Sequence, residues 1–388
     1  MHIAVIGAGL GGLAAAVAAD RAGHTVTVLE RAPAPREAGA GIAIMPNGVL
    51  ALDALGVGEP VRAQACAGDT GGGMRDRHGN PLLTTELATV RERAGAPLVV
   101  VRRSWLHRLL LDALAPGIVL TASPVKQLRD AGDHVELRTG GGPVHADAVV
   151  VADGARSALR SALLPRHPGL QGSGEFAARA IAPAAPAGVA LPVGELIDHR
   201  TGDRFGCFPL ADGGVYWFSS SHEPAPADPA ERHRWLRERR SGWHPATVGL
   251  IEATAPDAVH VVETAQLVRP LPTLVKGRVA LLGDAAHAMT PDLGQGACQA
   301  FEDAATLGAV LDRVGPADVP AALREYDAVR RPRTASVQRE CRRVHRLLGL
   351  TGWRGRLRDT ALRLVPSGLA VRSLAAQYRF DIRSSVPA

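Results

Sequence analysis

The sequence lacks the cysteine spacings that hold metals or disulfide frameworks. Its four cysteines, Cys66, Cys207, Cys298 and Cys341, are scattered, with no C-x-x-C pair and no Cys/His ligand pattern. Reduced thiols in a cytoplasmic protein without a metal site are therefore expected. No apolar stretch reaches the roughly 20 residues needed to cross a bilayer, which excludes stable membrane insertion. Aromatic residues make up only 4% of the chain against 46% hydrophobic residues, so the core must be built from Ala, Val and Leu. No nucleophile–base triad is visible, so no catalytic side chain can be named from motifs. Neither an internal repeat nor a basic stretch interleaved with aromatics is present, which excludes repeat architectures and the nucleic-acid modules.

Lysine is nearly absent, with only Lys126 and Lys276, so the positive charge is arginine. The net charge of +6 is uneven. From Ala321 onward there are fifteen Arg and five acids, a balance of +10, which leaves −4 for the rest. The segments Arg339–Leu348 and Arg354–Leu364 have helical spacing and read as helices with solvated Arg faces. Peripheral contact with a membrane surface through them stays open.

What is present begins at the N-terminus. His2–Ile6 is a short apolar β-run, followed by a Gly-rich turn and the helix-forming stretch Leu13–Ala19. This is the strand, turn and helix that a G-x-G-x-x-G fingerprint requires. Gly7 permits the tight turn, Gly9 lets the backbone approach a pyrophosphate, and Gly12 lets helix and strand pack closely, with Leu10 and Gly11 between them. The pyrophosphate then lies at a helix N-terminus, where free N–H groups favour an anion. His24–Leu29 reads as a second strand ending at Glu30, placed to accept hydrogen bonds from an adenosine ribose. No Lys or Arg precedes the apolar run and glycines interrupt it, so it does not read as a signal peptide.

Along the chain, Trp105–Ala113 is helical, and Ile118–Ala122, His134–Arg138 and Ala148–Ala152 read as strands, the last leading into Asp153-Gly154. Residues 71–97 are a Gly-rich β-excursion with a turn at His78-Gly79-Asn80. Residues 171–268 are rich in Pro and Gly, with strand-like runs Arg204–Leu210 and Gly214–Ser219 joined by Ala211-Asp212-Gly213, a hairpin signal. A helical run follows at Pro229–Arg240. Arg278–Leu282 is an apolar strand leading into Gly283-Asp284, with a helix expected from Gly294 to Val310. The fold class is therefore α/β: a discontinuous Rossmann-like nucleotide domain (1–70, 98–170 and 269–320), a β-sheet substrate domain (71–97 and 171–268) and a helical C-terminal region (321–388).

Several ordered segments together resemble the single-component FAD-dependent aromatic hydroxylases, the family of para-hydroxybenzoate hydroxylase. They are Gly7-x-Gly9-x-x-Gly12, Glu30-Arg31, Arg36 to Gly41-Ile42-Ala43 with Pro46-Asn47, and Arg103-Ser-Trp-Leu106. Asp153-Gly154 to Arg160 follows, then Gly283-Asp284 to Pro291, and Gly294-Gln295-Gly296-Ala297 with Glu302 and Asp303. The resemblance implies FAD as cofactor and NAD(P)H as co-substrate. It implies that Arg36 to Ala43 pass beside the flavin, that Arg103 reaches the diphosphate region, and that the backbone at Val125 meets the adenine. It implies that Asp153-Gly154 serves both FAD and NAD(P)H, and that Asp284 accepts hydrogen bonds from ribityl or ribose hydroxyls. The N–H groups of Gly294–Ala297 would face the flavin edge where negative charge collects on reduction. In the family, reduced flavin reacts with O2 to a C4a-hydroperoxide that hydroxylates or epoxidises the substrate. His287 then reads as a supporting residue rather than a general base, and Cys298 as a packed thiol rather than a flavin attachment.

The branch of urate hydroxylase-like and epoxidase-like enzymes has Arg and Tyr at the spacing of Arg204 and Tyr216, which implies substrate contacts for both. Arg204 would meet an anionic or carbonyl oxygen and Tyr216 a phenol-like group. The alternative for these residues is a strand surface arginine and a core tyrosine. Two departures, Phe176–Ala180 without Trp and Leu274–Gly277 without Trp, suggest a roomier pocket for a small-molecule aromatic or polycyclic substrate. A reductase or dehydrogenase on the same fold, and a non-catalytic flavin-binding accessory protein, remain as alternative functions. A halogenase lacks support, since no Trp-x-Trp-x-Ile-Pro segment occurs. Oligomeric state is not encoded in any motif.

Overall fold

A computed structural model describes residues 1–34, 40–66 and 72–381. The N-terminal run forms the strand His2–Ile6 at the centre of a six-stranded sheet. The order is Val275–Lys276, Val279–Leu281, Ala148–Val151, His2–Ile6, Thr25–Leu29 and Val119–Leu120. All neighbours are parallel except the first pair. The inner strands are almost wholly buried, so they are continuous apolar runs rather than alternating ones, as a sheet covered on both faces requires.

The register of these strands positions everything else. Ile6 lies opposite both Val151 and Leu29, and Val151 lies opposite Leu281. The four residues form one row across the sheet, and each is the last residue of its strand. At about 4.8 Å between strands, the chain leaves the sheet at four adjacent points spread over roughly 14 Å.

The shortage of large side chains has a packing consequence. Helix Leu10–Arg21 is an alanine-rich rod buried from Leu10 to Ala19 on most sides. Helix Gln295–Leu311 lies close against it. A methyl group on Gly308 would stand 3.0 Å from Ala18 Cβ, and one on Gly11 would stand 3.0 Å from Leu282 and 3.1 Å from Ala300. Small residues let the two helices approach this closely.

The second large sheet has seven strands in the order His260–Leu267, Leu170–Ala182, Val215–Ser221, Arg204–Pro209, Gly194–Ile197, Gly72–Asp76 and Pro81–Thr85. Its pairs are antiparallel except Gly194–Ile197 with Gly72–Asp76. Alternation assigns its faces. Ala178, Ala180, Phe205, Cys207, Val215 and Trp217 pack with Leu236, Leu250 and Ile251 of helices Pro229–Arg239 and Pro245–Glu252. Phe208, Tyr216 and Phe218 point the other way and pack with Ala40, Ala43 and Val100. Turn Ala211-Asp212-Gly213 closes the hairpin between Arg204–Pro209 and Val215–Ser221. The 13-residue strand Leu170–Ala182, with its register shift between Gly172 and Phe176, is much longer than its composition suggests.

Smaller sheets pair Gly41–Ile44 with Val99–Arg102, and join Val125–Asp130, Val135–Thr139 and Gly142–Ala146. The arginine-rich tail forms the 30-residue helix Val319–Leu348, then Gly352–Arg363 and Ser367–Gln377.

A buried polar network fixes the long helix to the core. Arg330 donates to Asp303 Oδ1 (2.7 Å), Glu302 Oε2 (2.5 Å) and Gln299 Oε1 (2.7 Å). Asp303 Oδ2 accepts from Gly283 N (3.0 Å) and meets His287 Nε2 (2.6 Å). Asn47 donates to Glu302 and Gln295. Burial works against ionising Asp303, but His287 and Arg330 outweigh it and bring its carboxyl down to about 2. A carboxyl held below its ordinary value of about 3.9 contributes stability that is complete above that value. The contribution is lost as pH falls toward 2.

Asp303→Asn leaves buried Arg330 short of a counter-charge and alters the hydrogen bond with His287 Nε2. A loss of about 3–5 kcal/mol is expected from urea unfolding at pH 7. The difference from wild type should narrow as the pH is lowered from about 4 to 2.

Candidate active site

The row of strand ends brings the sequence motifs together. After Ile6 comes Gly7, after Leu29 comes Glu30, after Val151 come Asp153 and Gly154, and after Leu281 come Gly283 and Asp284. Ligands bind outside the carboxyl ends of parallel strands in open α/β sheets. A cleft of about 910 Å³ opens there, walled among others by Gly7, Gly9, Glu30, Val125, Asp153 and Gly154. Arg31 lies on its wall as well, whereas Arg103, Asp284 and Gly294 do not.

The glycines of the fingerprint are required by contacts. Gly7 has φ +103°, and a Cβ there would stand 2.5 Å from Ala152 O; one on Gly12 would stand 1.9 Å from Gly7 O. Gly9, by contrast, would meet nothing within 4 Å, so its backbone borders open space. Glu30 is anchored by the turn itself. Its two oxygens accept from Ala8 N (2.7 Å) and Ala32 N (2.8 Å), and each retains a lone pair for a further donor. His107 Nε2 meets Ala8 O, in the next peptide of the turn, at 2.8 Å.

Asp153 Oδ1 is buried with no hydrogen-bond partner at the cleft wall. Burial pushes its carboxyl up, against the opposing effects of Ser157 and Arg160. Arg160 is itself buried and donates to Ala285 O (3.2 Å), which ties the Asp153 segment to the Gly283-Asp284 segment. Asp284 is the one exposed residue between Val279 and Ala288. A Cβ on Gly296 would stand 3.9 Å from its Oδ1, so it faces the start of helix Gln295–Leu311. The Arg103 guanidinium is lowered by desolvation and raised by Asp284, with Arg179 and Tyr216 also within its field.

Gly294 adopts the left-handed conformation (φ 62°) that caps this helix, with Met45 Cε 2.4 Å from where a Cβ would stand. Pro291 opens the short turn Pro291–Leu293 before it. The first-turn N–H groups at Gln295, Gly296 and Ala297 have no helical acceptors. The Gln295 side chain is spent inside the protein on Asn47 and Gln299, so only its backbone is available at the helix start. Gly41 lies under Tyr216, whose ring would be 2.4 Å from an added Cβ. Ile42 and Ala43 continue this strand against the core and the aromatic cluster respectively. Leu10 is buried in the core. Arg36 lies outside the described residues.

His287 is buried against Asp303. Cys298 is buried against Gly48, and its thiol is pushed up to about 12 by burial. Both therefore stand in the core.

Arg204 is neither an exposed strand residue nor an open anion receptor. It is buried and paired with Glu175 (2.6 Å), Glu195 (3.1 Å) and Asp292 (3.0 Å). Burial opposes its charge, but the three carboxylates outweigh it and raise its pKa. The remaining oxygens Glu175 Oε2 and Asp292 Oδ2 lie 3.8 and 3.3 Å from His345 Nδ1, and Asp292 raises the His345 pKa through this contact against a desolvation effect. Glu195 is raised chiefly by burial. Glu175, Glu195, Asp292 and His345 were not singled out from sequence. Asp292 follows Pro291, but no local spacing links it to a helix about fifty residues on. Tyr216 packs in the aromatic cluster, 6.3 Å ring to ring from Phe208, and burial raises its hydroxyl while Arg179 and Arg103 oppose the shift.

Gly12→Ala introduces overpacking strain of about 1–3 kcal/mol at the turn. A flavin fluorescence titration should show FAD binding weakened roughly ten- to a hundredfold.

The FAD binding domain family matches residues 1–341. The chain is 35% identical over 339 residues to aurachin C monooxygenase/isomerase of Stigmatella aurantiaca, covering 85% of each chain. It is 36% identical over 345 residues to an FAD-dependent urate hydroxylase of Klebsiella pneumoniae, covering 85% of this chain and 86% of the relative. The structure of Klebsiella pneumoniae HpxO complexed with FAD and uric acid superposes with a TM-score of 0.86 at 31% identity, over 97% of this chain and 96% of that one. The orphaned Asp153 oxygen and the open backbone at Gly9 in the cleft, and the start of helix Gln295–Leu311 with no side-chain cap, fit FAD. The chain belongs to the FAD binding domain family and, with these relatives, to its FAD-dependent monooxygenases and hydroxylases.

Proposed function

We propose that the chain uses FAD, NAD(P)H and O2 to hydroxylate or epoxidise an aromatic or polycyclic ring held against the aromatic face of the seven-stranded sheet, beside the contact of Tyr216 with Gly41. The observation that carries this reading is Tyr216 lying directly on Gly41, with Arg103 and Arg179 beside it. When bound, FAD would supply redox chemistry between NAD(P)H and O2. The chain's own residues bind and orient. The Gly9–Gly12 turn and Arg103 take the pyrophosphate, Glu30 a ribose and Val125 the adenine. Asp153 and Asp284 take hydroxyl groups, and the N–H groups at Gln295–Ala297 take the flavin edge.

The substrate end has two poles of opposite character. Arg179 with Tyr216 favours an oxygen carrying negative charge. Around Arg204 three carboxylates already match the guanidinium, so that pole favours a hydrogen-bond donor over a carboxylate. The ring is therefore read as a donor–acceptor aromatic, in keeping with relatives named for urate and for aurachin C. The absence of Trp at Phe176–Ala180 and Leu274–Gly277 supports a pocket with room for fused rings.

In air, the flavin-loaded chain should oxidise NAD(P)H faster when a fused hydroxylated ring is added, and that ring should gain one oxygen by mass. Flavin-loaded chain that oxidises NAD(P)H only alongside saturation of a double bond would establish the reductase. No NAD(P)H oxidation with any ring would favour the accessory reading. Tyr216→Phe should lower kcat/KM for such a ring roughly tenfold and leave FAD binding unchanged.

A further inference from the structure

The C-terminal region carries an apolar face that the proposed reaction does not use. Trp353 is 68% exposed, Leu357 59% and Leu364 77%. They belong to helix Gly352–Arg363 and its cap residue Leu364. At about 100° per residue, the three side chains fall within roughly 40° of arc. Gly355, Arg358 and Asp359 are buried on the opposite side. Arg354 borders the stripe on one flank, and Arg356 and Arg363 border it on the other. Arg354 lies over the Trp353 ring, 5.4 Å from its centre. Beyond the turn at Pro366, Leu369 is also 60% exposed.

The charge around this stripe is mainly positive: Arg363 is 3.8 Å from Asp76 Oδ2, while Arg354 lies on the opposite flank. Residues 352–372 hold five arginines and a single acid, Asp359. That acid is buried and bonded to Arg358 (2.7 Å), so it does not offset the rim. No helix of the described residues is long and apolar enough to cross a membrane. A short helix with its inner side packed on protein, three large apolar groups outward and arginines on both flanks matches an interfacial anchor. Trp is favoured at the headgroup level, and arginine stems reach outward along the apolar stripe while their heads stay polar. A second copy of the chain would set two arginine rims against each other, whereas anionic headgroups complement them.

We propose that helix Gly352–Arg363 docks the enzyme on the surface of an anionic lipid bilayer, with Trp353, Leu357 and Leu364 entering the headgroup region and the flanking arginines meeting lipid phosphates.

The test uses the full FAD-loaded chain and vesicles of phosphatidylcholine with or without phosphatidylglycerol. Co-sedimentation with the anionic vesicles only, reduced at about 1 M salt where the screening length is roughly 3 Å, is the expected result. Trp353 emission should shift to the blue on binding and be quenched by brominated lipid. Leu357→Ser with Leu364→Ser should weaken partitioning at least about tenfold while NAD(P)H oxidation in solution is unchanged. Arg354→Glu with Arg356→Glu should do the same. Any one of three results would overturn the inference: no sedimentation with anionic vesicles, equal sedimentation of the double-serine variant, or a concentration-dependent dimer that buries Trp353 and that vesicles do not compete with.

Discussion

The register of four parallel strands is the constraint on which the site depends. Leu281, Val151, Ile6 and Leu29 stand side by side, so the residues after them emerge together. A shift of one residue in any pair would reverse the faces of that strand. It would also move its motif along the sheet edge by about 3.3 Å. Continuous burial of the strands, as in Ile3–Ile6 and Ala148–Val151, makes such a slip costly and keeps the row level. Segments nearly three hundred residues apart thus become one binding edge.

Small side chains and buried charge complete the scaffold in different ways. Alanine and glycine along Leu10–Arg21 and Gln295–Leu311 bring two helices near contact. The cost of so few aromatics is a core with little bulk, and the network around Arg330, Asp303 and Glu302 offsets it by tying the last long helix to the Gly283 turn. Because Gly283 N is one of the donors to Asp303, the turn that presents Asp284 is held by the same carboxylate that holds Arg330. Core cohesion and site geometry are in this sense one set of bonds.

Much of the nucleotide edge was legible because it is local. A strand, a Gly turn and an Ala-rich helix occupy twenty consecutive residues, and the glycine spacing reports backbone approach directly. The strand–turn context of Asp153 and Asp284 was readable in the same way. The α/β class followed from the alternation of such units. The substrate end was less legible because its chemistry is tertiary. Arg204 was visible, but its partners come from a strand bulge at Glu175, a neighbouring strand at Glu195, a short turn at Asp292 and a helix at His345. No spacing rule connects them, and without them Arg204 reads as a free cation. Gln295 shows the same limit: its position at the helix start was readable, and the inward turn of its side chain toward Asn47 was not.

Arg204 in the substrate domain is matched by buried carboxylates, whereas helix Gly352–Arg363 of the C-terminal region carries arginines toward the surface. The measurement that tests the convergence of the strand ends most directly is a crystal structure of the FAD-loaded chain. The expected result is the pyrophosphate at the N–H groups of the Gly9–Gly12 turn, Asp284 on a cofactor hydroxyl, and the flavin ring between Gly41 and the start of helix Gln295–Leu311. A flavin bound elsewhere, or a chain that takes up no FAD, would contradict it.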